Sequence, residues 1–151
     1  MKRIIIFLLL NFAALGLGGL FTSKGVPSEW YIHLNKAPWT PPGWVFGAAW
    51  TLIMICFAFY MSSLWKYSVS KSLIIALYVI QLMLNISWNP IFFQFHDVLF
   101  GLIVITLLTL LIGFILVYYH SILKIKSTLI MPYFLWLLIA TSLNAYILIY
   151  N

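Results

Sequence analysis

Five stretches of this chain, Ile4–Phe21, Val45–Trp65, Leu73–Phe93, Leu99–Tyr119 and Leu129–Tyr150, run for 18 to 22 residues without a single Lys, Arg, Asp or Glu. At ~1.5 Å rise per residue each makes a helix of roughly 27–33 Å, the thickness of a bilayer's hydrocarbon. Charged or Pro/Gly-rich breaks separate them. In lipid, backbone polar groups must be satisfied within the segment, and a helix does this. A water-soluble fold is excluded on the same ground. Of 151 residues, 65% are hydrophobic and 7% charged, more apolar surface than a soluble domain of this size can hide. The expected architecture is an all-α integral membrane protein, one domain over residues 1–151, with a single bundle of five transmembrane helices.

Charge sets the expected orientation. With five crossings, Lys2, Arg3, Lys66, Lys71, Lys124 and Lys126 share one side, and Lys24 and Lys36 the other. Six against two puts the N-terminus in the cytoplasm and the C-terminus outside. A bacterial inner membrane is the expected location. Lys2 and Arg3 before the first run resemble a signal-peptide n-region, but no small-x-small cleavage site follows, so a retained first helix is expected. The net charge of +6 comes from basic residues scattered singly or in pairs at span ends. That pattern suits lipid headgroups and is not a nucleic-acid footprint.

The long first loop, Thr22 to Trp44, then faces outward. Its Trp30-Tyr31-Ile32-His33-Leu34 is expected to form a short helix over the mouth of the bundle. The loop closes on Trp39-Thr40-Pro41-Pro42-Gly43-Trp44-Val45-Phe46-Gly47, with Trp50 further on. Pro41 and Pro42 fix φ and lack N–H donors, which suits a rigid lead into a first helical turn. Trp39 and Trp44 are rings of the kind that settle at a membrane boundary.

Polar residues enter the spans selectively. Gln81, Asn85, Trp88 and Phe92 share one face of the third helix. Pro132, Trp136, Ala140, Leu143 and Asn144 share a face of the fifth, and Gly43, Gly47, Trp50 and Met54 of the second. If these stripes converge they enclose an aromatic cavity with amide donors. The plainer reading of each stripe is helix packing, with small residues allowing close approach and amides bonding across the interface. Pro90 is expected to kink the third helix near its end.

Several chemistries are excluded or unsupported. Spans without Lys, Arg, Asp or Glu argue against an ion-driven carrier. His33, His96 and His120 lie in loops or at span ends without metal-ligand spacing. A haem axial ligand among them is conceivable, though a solvated interfacial imidazole is the simpler state. Cys56 is the only cysteine and falls in an apolar run, where it reads as a small buried hydrophobe. There is no nucleophile–base pattern, phosphate loop or carboxylate pair.

The residues resemble the translocator protein family, also called tryptophan-rich sensory protein or TspO/MBR, over nearly the whole length. The match runs from Trp30-Tyr31 and Leu34-Asn35-Lys36 through Trp39 to Trp50. It continues with Gln81, Leu84-Asn85, Trp88 and Pro90-Ile91-Phe92-Phe93, then Pro132-Tyr133, Trp136, Ala140 and Leu143-Asn144. The resemblance implies a five-helix bundle with a pocket opening toward the first loop. That pocket would bind a tetrapyrrole, protoporphyrin IX or haem, as a ligand, with no cofactor required. In animal members it implies cholesterol and synthetic ligands. Carried over by motif, the ligand-binding residues would be Trp39, Phe46, Gly47, Trp50, Asn85, Trp88, Phe100, Trp136, Ala140 and Leu143. Phe100 stands where animal members often have tryptophan. A homodimer in contact with membrane lipid is implied too.

Sterol recognition has less support. Ala145 follows Asn144, and no Lys or Arg occurs after Lys126, so the animal sterol motif of a Tyr followed closely by a basic residue is missing near the C-terminus. The leading expectation is a membrane receptor for tetrapyrroles with a sensory, regulatory or transport role. The propionates would lie near Lys24 or Lys36. The alternative, also implied by the resemblance, is a light- and oxygen-dependent porphyrin-degrading enzyme in which Trp50 and Trp136 donate electrons. A sterol- or lipid-binding translocator is a further alternative.

Overall fold

The computed structural model describes residues 2–68 and 70–151. Every element among them is helical: α1 (Lys2–Gly25), α2 (Glu29–His33), α3 (Gly43–Tyr67), α4 (Lys71–Phe93), α5 (Val98–Leu123) and α6 (Met131–Tyr150). A 3-10 segment, Lys124–Ile130, joins the last two. Four helical stretches are long and apolar enough to cross a membrane, the last being Val98–Tyr150 with 53 residues. That stretch doubles back. Lys124 takes a φ of 48°, and Leu123 before it ends α5. Thr109 Oγ1 then lies 3.0 Å from Thr141 Oγ1, and Asn144 Nδ2 donates to the Val98 carbonyl at 3.0 Å. Helices α5 and α6 therefore run antiparallel along each other.

Most helices outrun the apolar stretches that announce them. Lys2, Arg3, Lys24, Lys66 and Lys71 all sit inside helices, where a long basic side chain can lay its stem on apolar surface and still carry its charge toward the helix end. Leu129 and Ile130 go the other way and belong to the 3-10 turn. Pro90 lies inside α4, which continues to Phe93, and its carbonyl accepts from the Gln94 and Phe95 amides that end the helix.

Helix α1 packs on α3 and α4, α4 on α5, and α5 on α6. Asn11 joins the first three. Its Nδ2 donates to the Met54 carbonyl at 2.9 Å and its Oδ1 accepts from the Tyr78 hydroxyl at 2.7 Å. A fully buried amide is tolerable only with such partners. Higher up, Thr22 Oγ1 donates to Asn89 Oδ1 at 2.8 Å. Gly18 faces that amide, and a Cβ there would meet Asn89 Nδ2 at 2.6 Å, so glycine is what permits α1 to approach α4 here. The densest core surrounds Phe57, Ala58, Tyr60 and Ile112, below the level where the aromatic stripes lie.

The first loop covers the opposite end. Ser28 caps α2, its Oγ accepting from the Tyr31 amide at 3.2 Å. Helix α2 covers 29–33, one residue earlier than the sequence pattern puts it, and it docks on the end of α4. The Trp30 and Phe92 rings meet at 5.4 Å, Tyr31 and Phe93 at 5.5 Å, and Trp30 stacks on His96 at 4.2 Å. Further along, Asn35 bonds to the end of α6: its amide N–H donates to Asn151 Oδ1 at 2.8 Å and its Nδ2 to the Tyr150 carbonyl at 3.0 Å. Pro42 then takes the N-cap position of α3, which begins at Gly43.

Candidate functional site

Under this cover a cavity of about 50 Å³ lies between α3, α4, α5 and α6. Phe46 and Trp50 reach it from α3, Asn85 and Trp88 from α4, Ile105 and Leu108 from α5, and Trp136, Leu137 and Ala140 from α6. Spacings of three and four residues put each pair from α3 and α4 on one helical face. The rings hold one another edge-on, Phe46 against Trp136 at 5.3 Å and Trp50 against Tyr133 at 5.8 Å. Edge-to-face contacts of this kind are favourable beyond the area they bury.

Amide side chains fix the rings from behind. Trp88 Nε1 donates to Asn144 Oδ1 at 3.0 Å, and the same Asn144 side chain donates to the Val98 carbonyl. Gly101 sits beside this Asn144, where a Cβ would come to 3.3 Å from Oδ1. The Tyr133 hydroxyl accepts from Gln81 Nε2 at 2.7 Å and from Asn85 Nδ2 at 3.0 Å. Trp136 is 8% exposed, lines the cavity, and its Nε1 has no hydrogen-bond partner. Gln81 Oε1 is also buried and unpaired. Buried polar groups without partners are uncommon and costly.

The structure brings six of the ten sequence-predicted residues to the cavity: Phe46, Trp50, Asn85, Trp88, Trp136 and Ala140. The other four lie elsewhere. Trp39 stands over α6, donating from Nε1 to Ser142 Oγ at 3.1 Å and meeting Tyr146 edge-on at 5.4 Å. Gly47 faces open space, with nothing within 4 Å of a Cβ built on it. Phe100 is exposed, in the first turn of α5, where its amide donates to Asp97 Oδ1 at 2.9 Å. Leu143 is buried but off the cavity wall. Ile105, Leu108 and Leu137 complete the wall without having stood out in the sequence. They are three apolar residues among many, and only their helical phase relative to the cavity singles them out.

The upper half of α3 is the least anchored wall. Its buried residues run from Ile53 to Leu64, and the stretch before Ile53 has none. Trp44 is 75% exposed, and neither Gly43 nor Gly47 has a neighbour near its Cβ position. At the mouth, Lys36 lies over the Tyr31 ring at 4.7 Å. Burial against α4 pushes the Tyr31 phenol above its usual value. Among the described residues no group of His, Cys, Asp and Glu could hold a metal ion.

An all-helical bundle with several apolar spans, a docked loop and an aromatic cavity beneath it defines an integral membrane protein with a small internal site. The family model for TspO/MBR matches residues 6–150, and the chain belongs to that family. It is similar to the tryptophan-rich protein TspO of Archaeoglobus fulgidus, 33% identical over 91% of this chain and 90% of that protein. It is also similar to the tryptophan-rich sensory protein of Cereibacter sphaeroides, 32% identical over 78% and 74%. The human translocator protein is 30% identical over 85% and 80%.

Proposed function

We propose that this chain crosses the bilayer five times, with α1, α3, α4, α5 and α6, and serves as a membrane receptor for a flat tetrapyrrole such as protoporphyrin IX. The observation that carries this reading is the cavity walled by Phe46, Trp50, Trp88 and Trp136, the last with a buried and unpaired ring N–H. Aromatic walls suit a planar macrocycle through stacking and dispersion. The spare indole N–H suits a pyrrole nitrogen or carboxylate acceptor. The names of the relatives, sensory protein and translocator protein, agree with a sensing or translocating role. The excess of Lys and Arg at the Lys66–Lys71 and Lys124–Lys126 end supports a cytoplasmic N-terminus.

At about 50 Å³ the cavity is too small for such a guest, since a drug-sized molecule needs roughly 300 Å³ or more. Binding then requires the upper half of α3 to swing outward and the first loop to lift. The propionates would stay at the mouth near Lys36, where a solvent-screened ion pair contributes only ~0–1 kcal/mol. Ring burial would dominate. Trp50→Ala is therefore expected to weaken protoporphyrin IX binding more than Lys36→Ala, measured in the dark by the ligand's own absorbance shift. The opposite order would overturn the assignment.

A second reading rests on Trp50 and Trp136 sharing this one cavity. Two oxidisable indoles beside a photosensitiser suit light- and oxygen-dependent porphyrin breakdown. Illuminated turnover that disappears in the Trp50→Phe/Trp136→Phe protein, with dark binding retained, is the outcome expected of that activity. Unchanged bleaching would reject it.

A further inference from the structure

A larger hollow than the aromatic cavity lies elsewhere on the molecule. A groove of about 500 Å³ runs between α1 and α4 on the outer surface of the bundle. Phe7, Ile74 and Tyr78 form its buried floor, with Ile6 and Leu10 on one bank and Ile75 and Val79 on the other. The Tyr78 hydroxyl is already satisfied by Asn11, so the floor offers a guest no polar partner. The groove ends at Trp65 and Arg3. Beside Trp65 stands Lys71, 5.6 Å from the ring centroid, its Nζ donating to the Trp65 and Ser68 carbonyls. That leaves one of its three N–H groups for another acceptor. Both acidic side chains of the protein, Glu29 and Asp97, lie at the opposite end of the bundle with α2 and the α4–α5 turn.

An apolar trough about two helical turns long, with the Arg3 guanidinium in its lining, the Lys71 ammonium beside the Trp65 ring that closes it, and no acid at that end, has the shape and polarity to take the headgroup end of a lipid. We propose that this groove holds one phospholipid with an anionic headgroup, an acyl chain lying between α1 and α4 and the phosphate meeting Arg3 and Lys71. The acyl chain gains little over its place in the bilayer, since lipid tails are as apolar as the groove. Selectivity therefore comes from the headgroup. Arg3 supplies a planar fork that matches phosphate oxygens. Each basic residue at the membrane surface favours an anionic lipid about fivefold. The site is independent of the aromatic cavity, and neither claim falls with the other.

Trp65 makes the groove readable by fluorescence. The full-length protein would be placed in vesicles carrying dibrominated phosphatidylglycerol or phosphatidylcholine with identical chains. The Trp65 signal is the difference between the wild-type protein and Trp65→Phe. Half-maximal quenching of that signal is expected at several-fold lower mole fraction of phosphatidylglycerol than of phosphatidylcholine. Arg3→Gln or Lys71→Gln should shrink the gap, and Val79→Phe, which fills the groove from an exposed bank, should remove selective quenching without changing the circular dichroism. Equal quenching by both lipids in the wild-type protein, or a gap that both charge substitutions leave intact, would overturn the proposal. So would Trp65 shielded from both lipids, as a second copy of the chain seated on α1 and α4 would shield it.

Discussion

Replacing Trp136 by phenylalanine separates the cost of the unpaired indole N–H from its use. That donor is buried without a partner, a burden of about 1–3 kcal/mol. The Trp136→Phe change would lift it. The smaller ring also enlarges the cavity by a few tens of Å³, which costs roughly 0.5–1 kcal/mol at ~24 cal/mol per Å³. The edge-on contact with Phe46 at 5.3 Å survives with a phenyl ring. The balance lies between zero and about 2 kcal/mol in favour of the variant. A bound tetrapyrrole would lose one hydrogen bond, about 0.5–1.5 kcal/mol, or roughly two- to tenfold in affinity. The variant is thus expected to melt at the same or a higher temperature in detergent and yet bind protoporphyrin IX more weakly. Thermal unfolding and a dark absorbance titration on the same preparation read both quantities. A variant that melts well below the wild type and binds equally well would refute the reasoning, because the N–H would then be serving the fold.

Three further outcomes follow from the contacts that hold the bundle and its cover. Asn11→Ala should cost about 1–3 kcal/mol, because it strands the buried Tyr78 hydroxyl; Asn11→Ala/Tyr78→Phe should cost less than the sum of the two single changes, as thermal unfolding will show. Asn35→Ala breaks the side-chain bond that ties the first loop to the end of α6 and should speed protoporphyrin IX association in stopped-flow with little change in melting temperature. The raised Tyr31 value means that the folded state holds this proton more tightly than the unfolded loop does. Its contribution to loop docking is full below the ordinary tyrosine value of about 10 and is lost as pH rises through the raised one. Limited proteolysis of the first loop should therefore accelerate at strongly alkaline pH, and less so in Tyr31→Phe.

Particular residues show how far the sequence could be read. The spans were legible because charge is expensive in lipid and therefore marks helix ends, though snorkelling carries α1, α3 and α4 beyond those marks. The aromatic wall was legible wherever a polar or small residue broke an apolar helix: Asn85 marks the inner face of α4, and Ala140 that of α6. Helix α5 does carry Gly101, Thr106 and Thr109 among its apolar residues, but they sit beside Ile105 and Leu108 without singling these two out, and packing alone orients them. Phase explains two residues that lie elsewhere. Gly47 sits one position past Phe46, which turns it about 100° away from the wall, and Phe100 is in the capping turn of α5, outside the bundle. The partners of Trp39 and Asn35 are over a hundred positions distant, and no local pattern announces contacts of that range.

The most direct test of the aromatic cavity is a dark titration of protoporphyrin IX into the purified wild-type protein and Ala140→Phe, in which a phenyl ring fills the space on α6 that a guest would need. Saturable binding by the wild type, with binding lost in a variant that retains its melting temperature, is the expected result. Equal affinity in the two proteins would place the ligand elsewhere and contradict the account.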